Sequence, residues 1–140
     1  MSNSPKNIDI LRKIIGYCRQ IDEANEMFKH SFNELTTKYT YKNAVAMCIL
    51  QIGELTTHLS DDFKATYNEM PWQDIKGIRN IAAHRYGSFD VNKLWETITV
   101  DVPALKAYCE SIVRQHEVLE QGALSETELD SDKDSPQTMQ

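Results

Sequence analysis

The sequence has no run of 18 or more apolar residues, and its first seven residues, Met1 to Asn7, are polar. Neither a membrane-spanning helix nor the apolar stretch of a secretory signal fits that pattern, so the expected location is the cytoplasm, with no membrane partner. Period-2 alternation between turn dipeptides is also missing, as is any internal repeat, which argues against a strand-built fold. Cysteine is scarce and scattered: Cys18, Cys48 and Cys109 have neither a disulfide framework nor close ligand spacing, and they read as reduced packing residues. His30, His58 and His116 form no pair at metal-ligand spacing and read as surface or helix-edge residues. No metal and no cofactor is expected.

Positive charge is scarce too. The formal net charge of the 140 residues is −6, the wrong sign for a wide nucleic-acid footprint. Most of that acidity is local, because residues 120–140 hold six acids and one base, leaving residues 1–119 near −1. Any contact with nucleic acid must then be a local patch, for which Lys76, Arg79, Arg85 and Lys93 are the candidates.

What is present is helical period. With 41% hydrophobic and 26% charged residues, the composition is that of one ordinary globular domain. Ser4-Pro5 starts a helix with the stripe Ile8, Leu11, Ile15, Cys18, Ile21, Ala24 and Phe28. Ser31 to Lys38 fits either a frayed continuation or a loop, and Thr40 is placed to cap the next helix. That helix, Tyr41 to Leu59, carries Val45, Cys48, Ile49, Ile52 and Leu55 on one face. Gly53 inside it costs about 1 kcal/mol against alanine, which close approach of another helix or protomer would offset.

Ser60-Asp61-Asp62 starts a short helix to about Glu69. Asp90 caps another, with Val91, Leu94, Trp95 and Ile98 on one side. Asp101, with Pro103 in the first turn, opens the last, which Gly122 ends. Trp72 and Trp95 read as core. The expected fold class is all-α, an antiparallel bundle of about five helices over residues 1–120, followed by an acidic disordered tail at 121–140.

The chemistry concentrates in residues 71–90, PWQDIKGIRNIAAHRYGSFD. Pro71 suits the first turn of a helix and Gly87 its end. Arg79 falls about 40° from Ile75 on that helix, so its guanidinium borders the apolar face and needs an acidic or phosphate partner. His84, five residues on, is rotated by about 140°. A distorted last turn would bring the two together, and so would two copies of the helix meeting at a two-fold axis. An Arg and a His in proximity are what metal-free RNA cleavage requires: the imidazole moves the proton, and the guanidinium meets charge growing on the phosphate. On spacing alone His84 reads as a helix-end or surface histidine.

The string Pro71-Trp72, Ile75, Gly77, Arg79-Asn80, His84, Tyr86, Asp90 resembles the signature of the HepT-like proteins, a branch of the HEPN superfamily of small helical ribonucleases. The core pattern is Arg, four residues, His, one residue, Tyr, here Arg79 to Tyr86. Likeness continues at Ile52-Gly53-Glu54 and Leu59-Ser60, and at Trp95, Thr97, Ile98 and Pro103-Ala104-Leu105, covering roughly residues 8 to 118.

The resemblance implies a homodimeric endoribonuclease, the toxin of a type VII toxin–antitoxin module paired with an MntA-type nucleotidyltransferase antitoxin. Arg79 and His84 would be catalytic and Asn80 supporting, with Lys76 and Arg85 touching RNA. The expected products are a 2′,3′-cyclic phosphate and a 5′-hydroxyl. Glu54 matches the family's Gly-Glu pair, and either orients Arg79 or His84 or is simply solvated. Tyr86 would be the acceptor of AMP from the antitoxin, its plain alternative being a packed helix-end tyrosine. A reading of a different class is a non-catalytic helical protein that binds nucleotide or serves as scaffold for a nucleotidyltransferase.

Overall fold

The computed structural model describes residues 4–75 and 90–134, with side chains as far as residue 124 in the last helix. Helix α1, Pro5–Met27, begins at the expected cap: Ser4 is extended and its Oγ accepts from the Asn7 N–H at 3.3 Å. The predicted stripe is buried from Ile8 to Ala24, and Ile14, not singled out by the sequence, joins it. Helix α1 ends in a turn where Lys29 and His30 take positive φ, 62° and 49°. Such conformations cost non-glycine residues about 1 kcal/mol or more each. Three contacts hold the turn closed. His30 N–H donates to Asn25 O at 2.8 Å, Tyr41 Oη donates to the buried Asn25 Oδ1 at 2.6 Å, and the Phe28 ring stacks on Tyr41 with centroids 4.7 Å apart.

Residues 31–38 are neither frayed helix nor loop. They form α2, Phe32–Thr37, capped by Ser31, whose Oγ accepts from Glu34 N–H at 3.2 Å. The signal was Ser31 with Glu34 three residues later, a capping-box pair. Helix α3, Tyr39–Thr56, follows immediately, so its cap position is Lys38 rather than Thr40, with no side-chain cap bond. Leu59 lies beyond its end yet is buried. Helix α4, Asp61–Thr66, is shorter than the predicted run to Glu69 and is capped by Ser60. Trp72 is core, as expected: it is buried, and its Nε1–H donates to Tyr67 O at 2.9 Å among the rings of Phe63 and Tyr108.

The largest departure comes after Asp90. Two separate helices were expected, but α5, Val91–Glu96, a widened turn, Thr97–Asp101, and α6, Val102–Asp134, run on as one helical path. Pro103 explains the widening. It has no N–H to donate, and its ring crowds the carbonyl four residues back, so a π turn lets the ring pass without breaking the helix. Val102 N–H accordingly reaches back five residues to Thr97 O. The Thr97 and Thr99 hydroxyls bond back to Lys93 O and Trp95 O at 2.8 and 2.7 Å, a pattern that bends helices. Gly122 does not end α6, which continues to Asp134.

Helix α1 packs on α3 and on α6, and α2 packs on α3 and α5. Three ion pairs tie α1 to α6: Arg12–Glu117 at 3.4 Å, Arg19–Glu110 at 3.5 Å and Asp22–Lys106 at 2.8 Å. One partner number falls as the other rises, so the helices are antiparallel. Exposed pairs of this kind each add at most about 1 kcal/mol, and their main effect is to set register. The architecture is all-α, with no strand among the described residues, as the helical period predicted.

Asn7 joins two distant parts of the chain. Its side chain is 2% exposed; Nδ2 donates to Ser60 Oγ at 3.0 Å, and Oδ1 accepts from Ser60 N–H at 3.1 Å. The Asn7→Ala variant leaves these groups without their partner, and should lower the unfolding free energy by about 2 kcal/mol, read from urea midpoints. Burial also governs the thiols. Cys18, Cys48 and Cys109 are free and buried, and desolvation pushes Cys18 up to about 12 and raises Cys48 and Cys109. A colorimetric thiol reagent at pH 8 should leave all three unmodified in the folded protein and label all three in guanidinium.

Candidate functional site

The residues Lys76, Arg79, Asn80, His84, Arg85 and Tyr86 lie outside the described residues. Their two flanks are described, and both are firmly anchored. On one side, Trp72 is fixed by its indole hydrogen bond and aromatic neighbours, and residues 72–75 are helical. Ile75, the last described residue, lines a cavity of about 30 Å³ with Ile49 and Ile52 of α3 and Thr97, Val102 and Leu105 of the α5–α6 path. On the other side, Asp90 caps α5 by accepting from Asn92 N–H at 2.9 Å, and Val91 is half-buried. The motif segment therefore leaves the bundle at Ile75, beside α3 and the π turn, and rejoins it at Asp90, the cap of α5.

An open cleft of about 610 Å³ lies at these flanks, floored by Met70, Pro71, Ile75 and Ala104. Its polar wall holds four carboxylates, Glu69, Asp74, Glu96 and Asp101, against one ammonium, Lys93. Burial raises the Asp101 carboxyl above its ordinary value; Lys93 opposes this, and Glu96 and Asp74 add to it. A wall of this sign repels phosphate and other anions. Sequence reasoning missed this wall. It assigned Asp101 to a helix cap, whereas the π turn carries Asp101 on the same continuous helix as Glu96 and Lys93.

Glu54 is about half exposed on α3, and its Oε1 lies 3.7 Å from Nε2 of His58 one turn on. Gly53 beside it is buried. Among the described residues, no group of three or more His, Cys, Asp and Glu side chains is set to hold a metal, and no helix is long and apolar enough to cross a membrane.

The sequence profile described as ribonuclease HepT-like matches residues 14–112, which is most of the chain and spans both flanks and the segment between them. The chain belongs to the HepT-like ribonuclease family. Among similar proteins, one from Methanocaldococcus jannaschii, named as a candidate RNase, is 28% identical over 96 residues, covering 66% of this chain and 88% of the relative. Another, from Thermococcus cleftensis and named as a candidate ribonuclease HepT, is 30% identical over 101 residues, covering 69% of this chain and 92% of the relative. A third, from Caldanaerobacter subterraneus and also named as a candidate RNase, is 26% identical over 85 residues. No solved structure matches the chain significantly. The HepT-like match stops at Ile112, so the last two-thirds of α6 lie outside it.

The acidic wall predicts a pH effect. Because the folded protein holds Asp101 above its ordinary value of 3.8, ionising it destabilises the fold once pH is above that value, and protonation relieves the cost as pH falls. Asp101→Asn should melt at a higher temperature than the wild type at pH 7, with the advantage shrinking below pH 4.

Proposed function

We propose that this HepT-like chain is the toxin of a type VII toxin–antitoxin module, a metal-independent endoribonuclease acting as a homodimer. The observation that carries the reading is the family match over residues 14–112, inside which Arg79, His84 and Tyr86 stand at the family spacing. The substrate 2′-oxygen attacks the adjacent phosphorus, and the 5′-oxygen of the next nucleotide leaves. His84 takes or gives the proton, Arg79 neutralises charge building on the non-bridging oxygens, and Asn80 orients the phosphate or His84. The products are a 2′,3′-cyclic phosphate and a 5′-hydroxyl. A homodimer resolves the angle between Arg79 and His84, since two copies of the helix at a two-fold axis bring one copy's Arg near the other's His.

Lys76 and Arg85 offset the carboxylates of the adjacent cleft and hold the strand, and Glu54 orients the Arg–His pair. Control comes from an MntA-type nucleotidyltransferase. The Tyr86 hydroxyl attacks the α-phosphorus of ATP, pyrophosphate leaves, and the attached AMP fills the RNA site and pairs with Arg79.

A second reading is a non-catalytic helical protein that binds nucleotide or acts as scaffold for a nucleotidyltransferase. It is favoured by the acidic wall at the cleft, which disfavours an RNA backbone. One experiment separates the two. Expressed without a partner, the wild type should arrest growth and produce RNA ends bearing cyclic phosphate. His84→Ala should cut the cleavage rate by about 10²- to 10⁴-fold, and Arg79→Ala by about 10²- to 10³-fold. Three equally harmless, folded proteins would leave the scaffold reading in place.

A further inference from the structure

One described groove has the opposite charge balance to the acidic cleft. It has a volume of about 520 Å³ and runs between the first turns of α1 and the end of α3, with an apolar floor of Ile10 and Leu55 and a rim of Lys6, Lys13, Asp9 and His58. Two of the rim groups already have partners: Asp9 Oδ1 lies 3.5 Å from Arg12 Nη1, and His58 faces Glu54. Among the described residues, neither Lys6 nor Lys13 has an ion-pair or hydrogen-bond partner. Seven residues apart on α1, they share a stripe and stand about 10 Å apart along the axis. The groove therefore offers two uncompensated positive charges in a row, in a chain whose net charge is −6.

Its position relates it to the motif. Leu55 lies one turn beyond Ile52, and Ile52 meets Ile75 at the small cavity where the motif segment leaves the bundle. The groove and the start of that segment thus border neighbouring turns of α3.

We propose that this groove is a second contact for the phosphodiester backbone of RNA, one that guides a single strand toward the motif along the α1–α3 side and away from the acidic wall. This rests on the ribonuclease reading above. The charge fits: two spaced ammonium groups with open coordination meet successive phosphates, and the apolar floor accepts the face of a base or ribose. An acidic polypeptide has similar charge, and this chain's own acidic end is the nearest one. Helix α6, however, meets α1 through Arg12, Arg19 and Asp22, about 140° around α1 from Lys6 and Lys13. The end of α6 thus runs past the start of α1 on the side away from the groove.

The test uses the full chain and a single-stranded 20-nucleotide RNA with 2′-O-methyl groups, which this chemistry cannot cleave, followed by fluorescence anisotropy over a salt series. Lys6→Gln/Lys13→Gln should bind roughly tenfold more weakly near physiological salt, with the log–log salt slope shallower by about 1.4, or about 0.7 for each lost phosphate contact. Lys6→Arg/Lys13→Arg should retain wild-type affinity, and both variants should melt with the wild type, since both side chains are exposed. If the wild type cleaves unmodified RNA while the Gln pair binds with unchanged affinity and slope, the groove assignment is overturned and the ribonuclease reading stands. A wild type that neither binds nor cleaves RNA overturns both. An equal loss in the Arg pair, or wild-type binding of a polyglutamate peptide of the same charge as tight as that of RNA, also overturns it.

Discussion

Helix α1 has two partners, and the structure depends on satisfying both. Its apolar positions are too many for one interface: Ile8, Leu11, Ile14, Ile15, Cys18 and Ile21 are nearly or wholly buried, which needs α3 on one side and α6 on another. Burial at about 25 cal/mol per Å² makes this the dominant favourable term, while the ion pairs between α1 and α6 mainly choose one register among several of similar apolar area. Once that register is set, α3 and the π turn are held at a fixed separation. The flanks of the motif segment, Ile75 and Asp90, are then fixed to the same framework.

Helix identity was legible because period 3.6 dominates every long segment, and caps such as Ser4, Ser60 and Asp90 act locally through their own side chains. Where the structure departs from expectation, a non-local or second-order effect decides. Ser31 and Glu34 make a real helix from six residues that packing onto α3 and α5 holds in place. Pro103 ordinarily signals a helix start, and does so in isolation. Here the apolar faces on either side of it, Leu94 and Ile98 before and Leu105 and Cys109 after, are buried in one core, and widening one turn costs less than breaking the helix. Gly122 illustrates the same limit, since no neighbouring atom is crowded there and the helix passes through it.

For the site, the sequence carried more than the described structure does. The spacing of Arg79, His84 and Tyr86 pointed to a family, and the family match spans them. What spacing could not convey was the electrostatic setting. Asp74, Glu96 and Asp101 are 22 to 27 residues apart or five apart along the chain, and they become one wall only because the path through the π turn is continuous. Likewise Lys6 and His58, 52 residues apart, share a groove because α1 packs on α3 and Asn7 holds Ser60. Charge clusters formed by tertiary contact leave no local pattern to find.

The sequence separation of the α1–α6 contacts also bears on how the protein is made. Arg12 waits for Glu117, 105 residues later, and Asp22 for Lys106, 84 residues later. At about 5 to 20 residues per second, α1 leaves the ribosome roughly 5 to 20 s before its second partner exists. During that interval one apolar face of α1 is uncovered, and the framework that positions the motif cannot close. That framework therefore closes only once residues 106–117 have been made, and until then the uncovered face of α1 is open to chaperones.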